Sequence, residues 1–318
     1  MVKYIVTGSA GFIGSTLVDR LLDLGDHVVG IDNYSTGRQE FLSQAEQSQN
    51  FHQINADLMN SKKLDEIFAT HQPDMVFHLA ANADVRYGTD NPSKDLEQNT
   101  IATFNVLNAM RLSGVNRIAF SSTGSIYGEA EVIPTPEDAP FPVQTSLYGA
   151  SKLAGEGLIQ AFAEGYGFNT WIFRFVSILG ERYTHGHIFD FCQKLMNDPH
   201  KLPILGDGMQ DKSYMYVQDC IDAMLAAIEH SNNKVNIFNL GVEDSIKIKD
   251  SARIIADVMQ LSPEFSFEAQ SRGWVGDNPR IQLDVSRIQS LGWKPRVSIE
   301  DGVKTTLNWI LKNQWVFD

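Results

Sequence analysis

The chain has 318 residues, 43% hydrophobic and 20% charged, with a formal net charge of −13 and a pI of about 5.0. That length suits about two domains and a large core. The acidity, with no Lys/Arg-rich block, excludes the basic footprint that a nucleic-acid partner needs.

The first stretch sets the frame. Tyr4-Ile5-Val6-Thr7 leads into Gly8-Ser9-Ala10-Gly11-Phe12-Ile13-Gly14, and an apolar helical run continues to Leu24. This predicts strand, tight turn and helix. Gly8 permits backbone angles closed to other residues, Gly11 lets a pyrophosphate approach the main chain, and Gly14 lets the helix pack close to the strand. The helix N-terminus points N–H groups and a positive dipole end at phosphates. A second strand, His27–Ile31, ends in Asp32, where a dinucleotide-binding unit holds ribose hydroxyls. The pattern is GxxGxxG, so it is the strand, helix and acidic residue around it that give it weight.

Asn33 to Arg38 reads as a turn and Gln39 to Asn50 as a polar, short helix. Phe51 to Ile54 is a strand followed by Asp57, which faces an adenine ring or caps a helix. Lys62 to Thr70 is helical. Asp74 to Leu79 is a strand buried on both faces, with His78 as a packed core histidine. Small Ala80 and Ala81 beyond it leave room for a cofactor. A long helix spans Ser93 to Ser113, and Arg117 to Ser121 is a strand running into Thr123. Four of the eleven prolines fall between 129 and 147, which predicts an ordered loop. Leu147 to Tyr166 is helical, and Thr170 to Phe175 is a sixth strand.

This alternation predicts an α/β fold: a Rossmann-type doubly wound parallel sheet over residues 1–175. A smaller C-terminal substrate domain over 176–318 follows, some of whose segments return to the first. Ile188–Leu195, Gln218–Ile228, Ser251–Met259 and Asp301–Leu311 read as helices there, and Asn236–Leu240 as a strand. No apolar run nears the ~20 residues that span a bilayer. The N-terminus enters a strand within two residues, leaving no room for a signal peptide. Cys192 and Cys220 have no paired spacing and read as free buried thiols. Together these predict a cytoplasmic protein with no membrane partner.

Tyr148 and Lys152 stand four apart, so on a helix they share a face. A free tyrosine, with a pKa near ~10, is a poor base at neutral pH. A nearby ammonium and an oxidised nicotinamide both favour its phenolate. Thr123, at the end of the preceding strand, offers a hydroxyl to the same substrate oxygen. A YxxxK match alone is weak, and its meaning rests on the strand end, loop and cofactor turn that appear in the required order.

With these residues the chain resembles the extended short-chain dehydrogenase/reductase family, specifically its nucleotide-sugar epimerases of the UDP-glucose 4-epimerase-like branch. The resemblance runs through the glycine turn, Asp32, Asp57-Leu58, His78-Leu79-Ala80-Ala81, Asn99, Ser121-Ser122-Thr123, Tyr127-Gly128 and Tyr148-xxx-Lys152. It continues through Arg174-Phe175, Gly206-Asp207-Gly208, Tyr216-Val217-x-Asp219, Gly276-Asp277 and Leu291-Gly292-Trp293-x-Pro295.

It implies catalytic Thr123, Tyr148 and Lys152, with NAD as cofactor. NAD contacts would fall at Gly8, Gly11, Phe12, Ile13, Gly14, Asp32, Asn33, Asp57, Leu58, Leu79, Ala80, Ala81, Asn99, Ser121, Tyr148 and Lys152. Substrate contacts would fall at Arg86, Thr123, Ser177, Lys212, Tyr214 and Arg272, with no metal. Asp32 repels a 2′-phosphate and so favours NAD over NADP; Arg38 is the nearby basic residue that argues the other way. The resemblance further implies a nucleotide-diphospho-sugar substrate epimerised at C4 through a 4-keto form, and a homodimer paired through the helices at 93–113 and 147–166.

The departures narrow the reaction. Thr123-Gly124-Ser125 stands where family dehydratases carry Thr-Asp-Glu, so the acid and base for eliminating water are missing. Decarboxylases carry Glu at the Ser125 position. Lys212 replaces an arginine and binds phosphate without a bidentate fork. Ser177 stands where many relatives have Asn, and Trp274 occupies the register of the arginine that Arg272 replaces from two residues upstream. Thr184 replaces the second arginine of many uronate epimerases. His185 and His187 have no acidic or Cys partner in sequence and read as a loop, not a metal site. A 2-epimerase, a 4-ketoreductase and a non-catalytic cofactor sensor remain the alternatives.

Overall fold

The computed structural model describes residues 1–317 except Pro142 and Val275. In chain order its elements begin with β1 (Lys3–Thr7), α1 (Phe12–Asp23), β2 (His27–Asp32), β3 (Phe51–Asn55), α2 (Ser61–His71), β4 (Met75–His78), α3 (Val85–Asp90) and α4 (Pro92–Asp95). A π-helical segment, Leu96–Ile101, joins α4 to α5 (Ala102–Ser113). Then come β5 (Arg117–Thr123), α6 (Leu147–Tyr166), β6 (Asn169–Phe175), β7 (Ser177–Leu179), α7 (His187–Asn197), β8 (Lys201–Ile204), β9 (Asp211–Lys212), β10 (Tyr214–Tyr216) and α8 (Val217–His230). The chain finishes with β11 (Val235–Leu240), β12 (Ile246–Lys247), α9 (Ile248–Val258), β13 (Glu264–Phe267), β14 (Arg280–Ile281), α10 (Ser286–Gln289) and α11 (Ile299–Lys312).

The chain divides into two compact units. The first holds Met1–Ile126, Leu147–Arg174 and Met224–Phe238; the second holds Tyr127–Ser146, Phe175–Ala223 and Asn239–Asp318. Two segments lie across a cut at 175: one before it goes with the second unit, and one after it returns to the first. Residues 127–146 go with the second unit because Thr135 bridges to Leu283 and Glu137 accepts the Asn239 N–H at 2.9 Å. Residues 224–238 go with the first because β11 extends its sheet beyond β6.

The first unit is a seven-stranded sheet ordered β11-β6-β5-β4-β1-β2-β3. The pairs β1–β2, β2–β3, β1–β4 and β4–β5 are parallel. The order reverses between β1 and β4, the switch point where this class of sheet takes its ligand. Every residue of β4 is buried, as its unbroken apolar run requires. Ile5, Ile31, Val76, Ile118 and Phe120 of the sheet pack with Leu64 and Phe68 of α2, Val106, Leu107 and Met110 of α5, and Ile159 of α6. The second unit builds small sheets, β10–β7, β12–β9–β14 and β13–β8, with α7, α9 and α11 packed together.

The segment 39–50 forms two short 3₁₀ turns, Gln39–Leu42 and Ala45–Gln47, where one short helix was expected. The helix expected over Ser93–Ser113 is present, but its middle turn is π-helical.

His78 is a core residue: Nδ1 lies 2.7 Å from Thr7 Oγ1 and Nε2 lies 2.9 Å from Thr103 Oγ1. Burial, and then the Lys152 charge, push its pKa down from 6.5 to about 3. The unfolded chain therefore binds more protons than the folded one between those values. Its stabilising contribution is complete above about 6.5 and is lost as pH falls toward 3. Urea midpoints measured from pH 8 down to 5 should fall, and His78→Asn, though less stable at pH 8, should fall less steeply. Equal slopes in the two proteins would contradict this assignment. His187, also pushed down to about 3 by burial, keeps the variant's slope above zero.

Candidate active site

The β1–α1 turn is built around close approach. Gly8 has φ 72°, and its N–H bonds Ile31 O at 2.9 Å while its carbonyl accepts Gly11 N–H at 3.1 Å. A Cβ on Gly14 would overlap the Gly8 carbonyl, so α1 can only sit this near β1 with glycine there. Gly11 is the N-cap residue of α1 and offers no side-chain cap. Phe12 and Ile13, in the first turn, are half-buried.

Asp32, at the end of β2, accepts Ala10 N–H at 2.9 Å and Tyr34 N–H at 2.8 Å. Burial raises its carboxyl above the ordinary value, and the N–H bonds from Tyr34 and Ala10 oppose that shift. Asn33 Nδ2 donates to Asp57 Oδ2 at 3.0 Å, and Leu58 O accepts Asn105 Nδ2 at 2.9 Å. Leu79 N–H bonds Thr7 O at 3.2 Å, Ala80 N–H bonds Thr7 Oγ1 at 3.3 Å, and Ala81 follows half-buried. The ends of β1, β2, β3 and β4 are thus adjacent around a glycine turn with an uncapped helix N-terminus. A dinucleotide fits these residues: N–H groups for its pyrophosphate and the Asp32 carboxylate for ribose hydroxyls. Replacing Asp32 with Ala should weaken NAD retention and relax discrimination against NADP, read from both cofactors' Kd. Unchanged preference would remove Asp32 from the ribose.

The chemistry-bearing residues sit at the next strand end. The Thr123 hydroxyl, on the last residue of β5, lies near enough to the Tyr148 side chain to pull its pKa down. Thr123 also accepts Ser125 N–H at 3.1 Å and lies 3.2 Å from Ser125 Oγ. Lys152 is buried one turn along α6 from Tyr148. Its Nζ donates to Ser121 O at 2.7 Å and lies 4.8 Å from the Phe120 ring centroid. Desolvation, and to a smaller degree the Asp95 charge, raise the Tyr148 pKa to about 12, against the pull of the Thr123 hydroxyl. This is opposite in direction to the phenolate expected beside an ammonium: the ring's loss of water dominates. Desolvation also lowers Lys152 to about 7, opposed by Asp95 and Glu156.

Behind this face lies a cluster the sequence reading missed. Glu156, one further turn along α6, accepts Arg174 Nε at 3.0 Å, Arg174 Nη2 at 2.8 Å and Ser122 Oγ at 2.5 Å, and all three residues are buried. The i, i+4, i+8 spacing of Tyr148, Lys152 and Glu156 was the available signal. Asn99, in the π-helical segment, donates to Ser151 Oγ at 2.9 Å and Asn82 O at 3.1 Å. Arg86, on α3, is half-exposed with its Nε 3.9 Å from Asp84.

Four expected substrate residues belong to the second unit. Lys212 Nζ lies 2.5 Å from Asp277 Oδ1 and 4.9 Å from the Trp274 ring centroid. Asp277 Oδ2 also accepts Gly273 N–H at 3.0 Å, which ties the 272–277 segment to Lys212. Arg272 pairs with Glu129, and Ser177 is exposed. Tyr214 is buried against His187, with ring centroids 4.9 Å apart, and His187 Nε2 lies 2.8 Å from Ser251 Oγ. Both cations therefore already hold a carboxylate.

The model of the NAD dependent epimerase/dehydratase family matches residues 4–241. A UDP-glucose 4-epimerase of Mycolicibacterium smegmatis is 34% identical over 313 residues, covering 96% of this chain and 98% of that protein. A putative UDP-glucose 4-epimerase of Methanocaldococcus jannaschii is 33% identical over 97% of this chain and 98% of that one. A crystal structure of a UDP-galactose 4-epimerase superposes with TM-score 0.87 at 38% identity over 98% of this chain and 100% of that one. The UDP-glucuronic acid 4-epimerase of Bacillus cereus, solved with UDP-glucuronic acid and NAD, superposes with TM-score 0.89 at 28% identity over 98% and 99%. The family model spans most of the chain and these relatives match it along nearly the whole length: the chain belongs to the NAD-dependent epimerase/dehydratase family.

Proposed function

We propose that the protein interconverts C4 epimers of a nucleotide-diphospho-sugar, UDP-glucose and UDP-galactose or an N-acetylated relative, through a 4-keto sugar. The carrying observation is the convergence of Thr123 and Tyr148 at the carboxyl end of β5, with buried Lys152 one turn away and bonded to Ser121 O of the same strand. NAD, when bound, supplies the acceptor and donor for the C4 hydride. Tyr148 takes the proton of the sugar 4-hydroxyl and gives it back to the other epimer. Thr123 holds the Tyr148 hydroxyl and the same sugar oxygen. Lys152 lends positive charge to the phenol. Gly124 and Ser125, in place of an acid–base carboxylate pair, support epimerisation over elimination.

In the second unit, Lys212 and Arg272 serve the diphosphate, exchanging carboxylate partners for phosphate oxygens, with Tyr214 beside Lys212. Ser177 and Arg86 serve the sugar. Incubation with UDP-, dTDP-, CDP- and GDP-sugars, read by product NMR, tests the reading. Interconversion of 4-epimers supports it; a 2-epimer or a one-way reduced product contradicts it.

The protein is also expected to be a homodimer. Leu96, Ile101, Phe104 and Leu112 along the π-helical segment and α5, and Leu147 and Tyr166 on α6, are exposed, more apolar surface than one buried stripe leaves. Light scattering at micromolar concentration should give twice the mass of the chain, and a monomer refutes the pairing. Among the described residues no helix is long and apolar enough to cross a membrane. The buried free thiols Cys192 and Cys220 fit a cytoplasmic location.

A further inference from the structure

The buried charges of the first unit pair unevenly. Glu156 is held by both nitrogens of the Arg174 fork and by Ser122, so its charge is matched. Lys152 is buried as deeply, and its hydrogen bond to Ser121 O brings no charge. A buried ammonium with no counter-charge is costly. A further source, on an adjoining element, is Asp95, the last residue of α4, which packs on α6.

Asp95 is 1% exposed. Its Oδ1 accepts Asn82 Nδ2 at 2.8 Å and Asn99 Nδ2 at 3.2 Å, and the same Asn99 amide reaches Ser151, the residue before Lys152. Its Oδ2 is buried with no hydrogen-bond partner. That oxygen occupies the place a side chain at position 88 would take, so Gly88 is what admits it. A carboxylate kept dry with one oxygen unsatisfied is an expensive arrangement for packing alone.

We propose that Asp95 is the counter-charge of Lys152, a positioning residue that keeps the lysine an ammonium beside Tyr148. This rests on the epimerase reading only for its catalytic consequence. Lys152 touches the Phe120 ring and Ser121 carbonyl of β5 and interacts electrostatically with Glu156 on its own helix, His78 from β4 and Asp95 from α4. Asp95 faces Asn82, Asp84 and Asn99 as well as Lys152. Arg174 answers Glu156 and a low-pKa His78 is neutral, so Asp95 is the anion left for Lys152. The same charge raises the Tyr148 pKa, so Asp95 works for the ammonium and against the phenolate. Removing it therefore lowers both transitions together.

The test is Asp95→Asn in the NAD-bound protein, with Lys152 followed by the ¹³Cε shift of labelled lysine, assigned by its loss in Lys152→Met. The Lys152 midpoint should drop by about one unit or more, a tenfold loss of proton affinity. The bell of kcat against pH should move as a whole toward acid. An unmoved lysine midpoint, or a bell lowered in place, overturns the proposal as a merely structural role. If the variant does not fold, the wild-type Asp95 carboxyl shift decides: ionised at pH 8 supports the proposal, and protonated at pH 8 overturns it. If wild type turns over no sugar, the epimerase reading fails and the lysine titration still judges this inference.

Discussion

Tyr148→Phe is expected to keep the fold and NAD binding while turnover falls by at least the ~10²–10⁴ typical of losing a positioned acid–base group. The substitution removes only the oxygen and leaves the ring. Burial pushes the tyrosine pKa up to about 12, which favours the neutral phenol. In the proposed reaction it acts as a base only as positive charge and the Thr123 hydroxyl draw its proton off. Lys152→Met removes part of that charge and a contact at Ser121, so NAD binding and turnover should both suffer. Thr123→Val should cost less than either, and Thr123→Ser should be nearly neutral because a hydroxyl remains. Single-turnover reduction of bound NAD, followed at the nicotinamide absorbance, reads this order. Reduction in Tyr148→Phe as fast as in wild type would remove the tyrosine from the chemistry.

Glu156→Ala should be the most damaging substitution for stability. It strips the buried Arg174 guanidinium of its carboxylate and Ser122 of its acceptor. Breaking one partner of a buried pair typically costs about 3–5 kcal/mol, because the other charge stays buried and unmatched. Urea denaturation should show that loss in the first unit, and Glu156→Gln, which keeps an acceptor for Ser122, should lose less. The double variant Glu156→Met with Arg174→Met should recover much of it, since neither charge is then buried. A loss below about 1 kcal/mol in Glu156→Ala would mean that water or another acid reaches Arg174.

Elements with strong local periodicity were legible. Helix α6 was read with the bounds observed, and β1 to β6 follow their apolar runs with an α-helix between each successive pair except β2 and β3. Pairing across long distances was not. Nothing local in Val235–Leu240 says that this strand joins a sheet beside β6, and nothing in the proline-rich loop says that Thr135 pairs with Leu283. The π-helical turn at Leu96–Ile101 keeps the same side-chain types as an α-helix, so composition cannot reveal it. In the site, Tyr148, Lys152 and Thr123 carried spacing and context. Glu156 carried spacing alone, and its partner Arg174 comes from another strand. Asp95 had no signal, because a polar residue at a helix end reads as solvated until its burial is known. The direction of the Tyr148 shift was also beyond the sequence, since it depends on how much water the folded chain removes.

The most direct measurement of the central claim is turnover of UDP-galactose in D₂O, with NMR of the product at C4. In the proposed reaction Tyr148 exchanges the proton of the 4-hydroxyl oxygen, while the carbon-bound hydrogen leaves and returns as hydride. The product 4-epimer should therefore form with its C4 hydrogen retained, and with no net consumption of NAD or NADH. Deuterium at C4, or formation of product only with stoichiometric loss of reduced cofactor, would contradict the account.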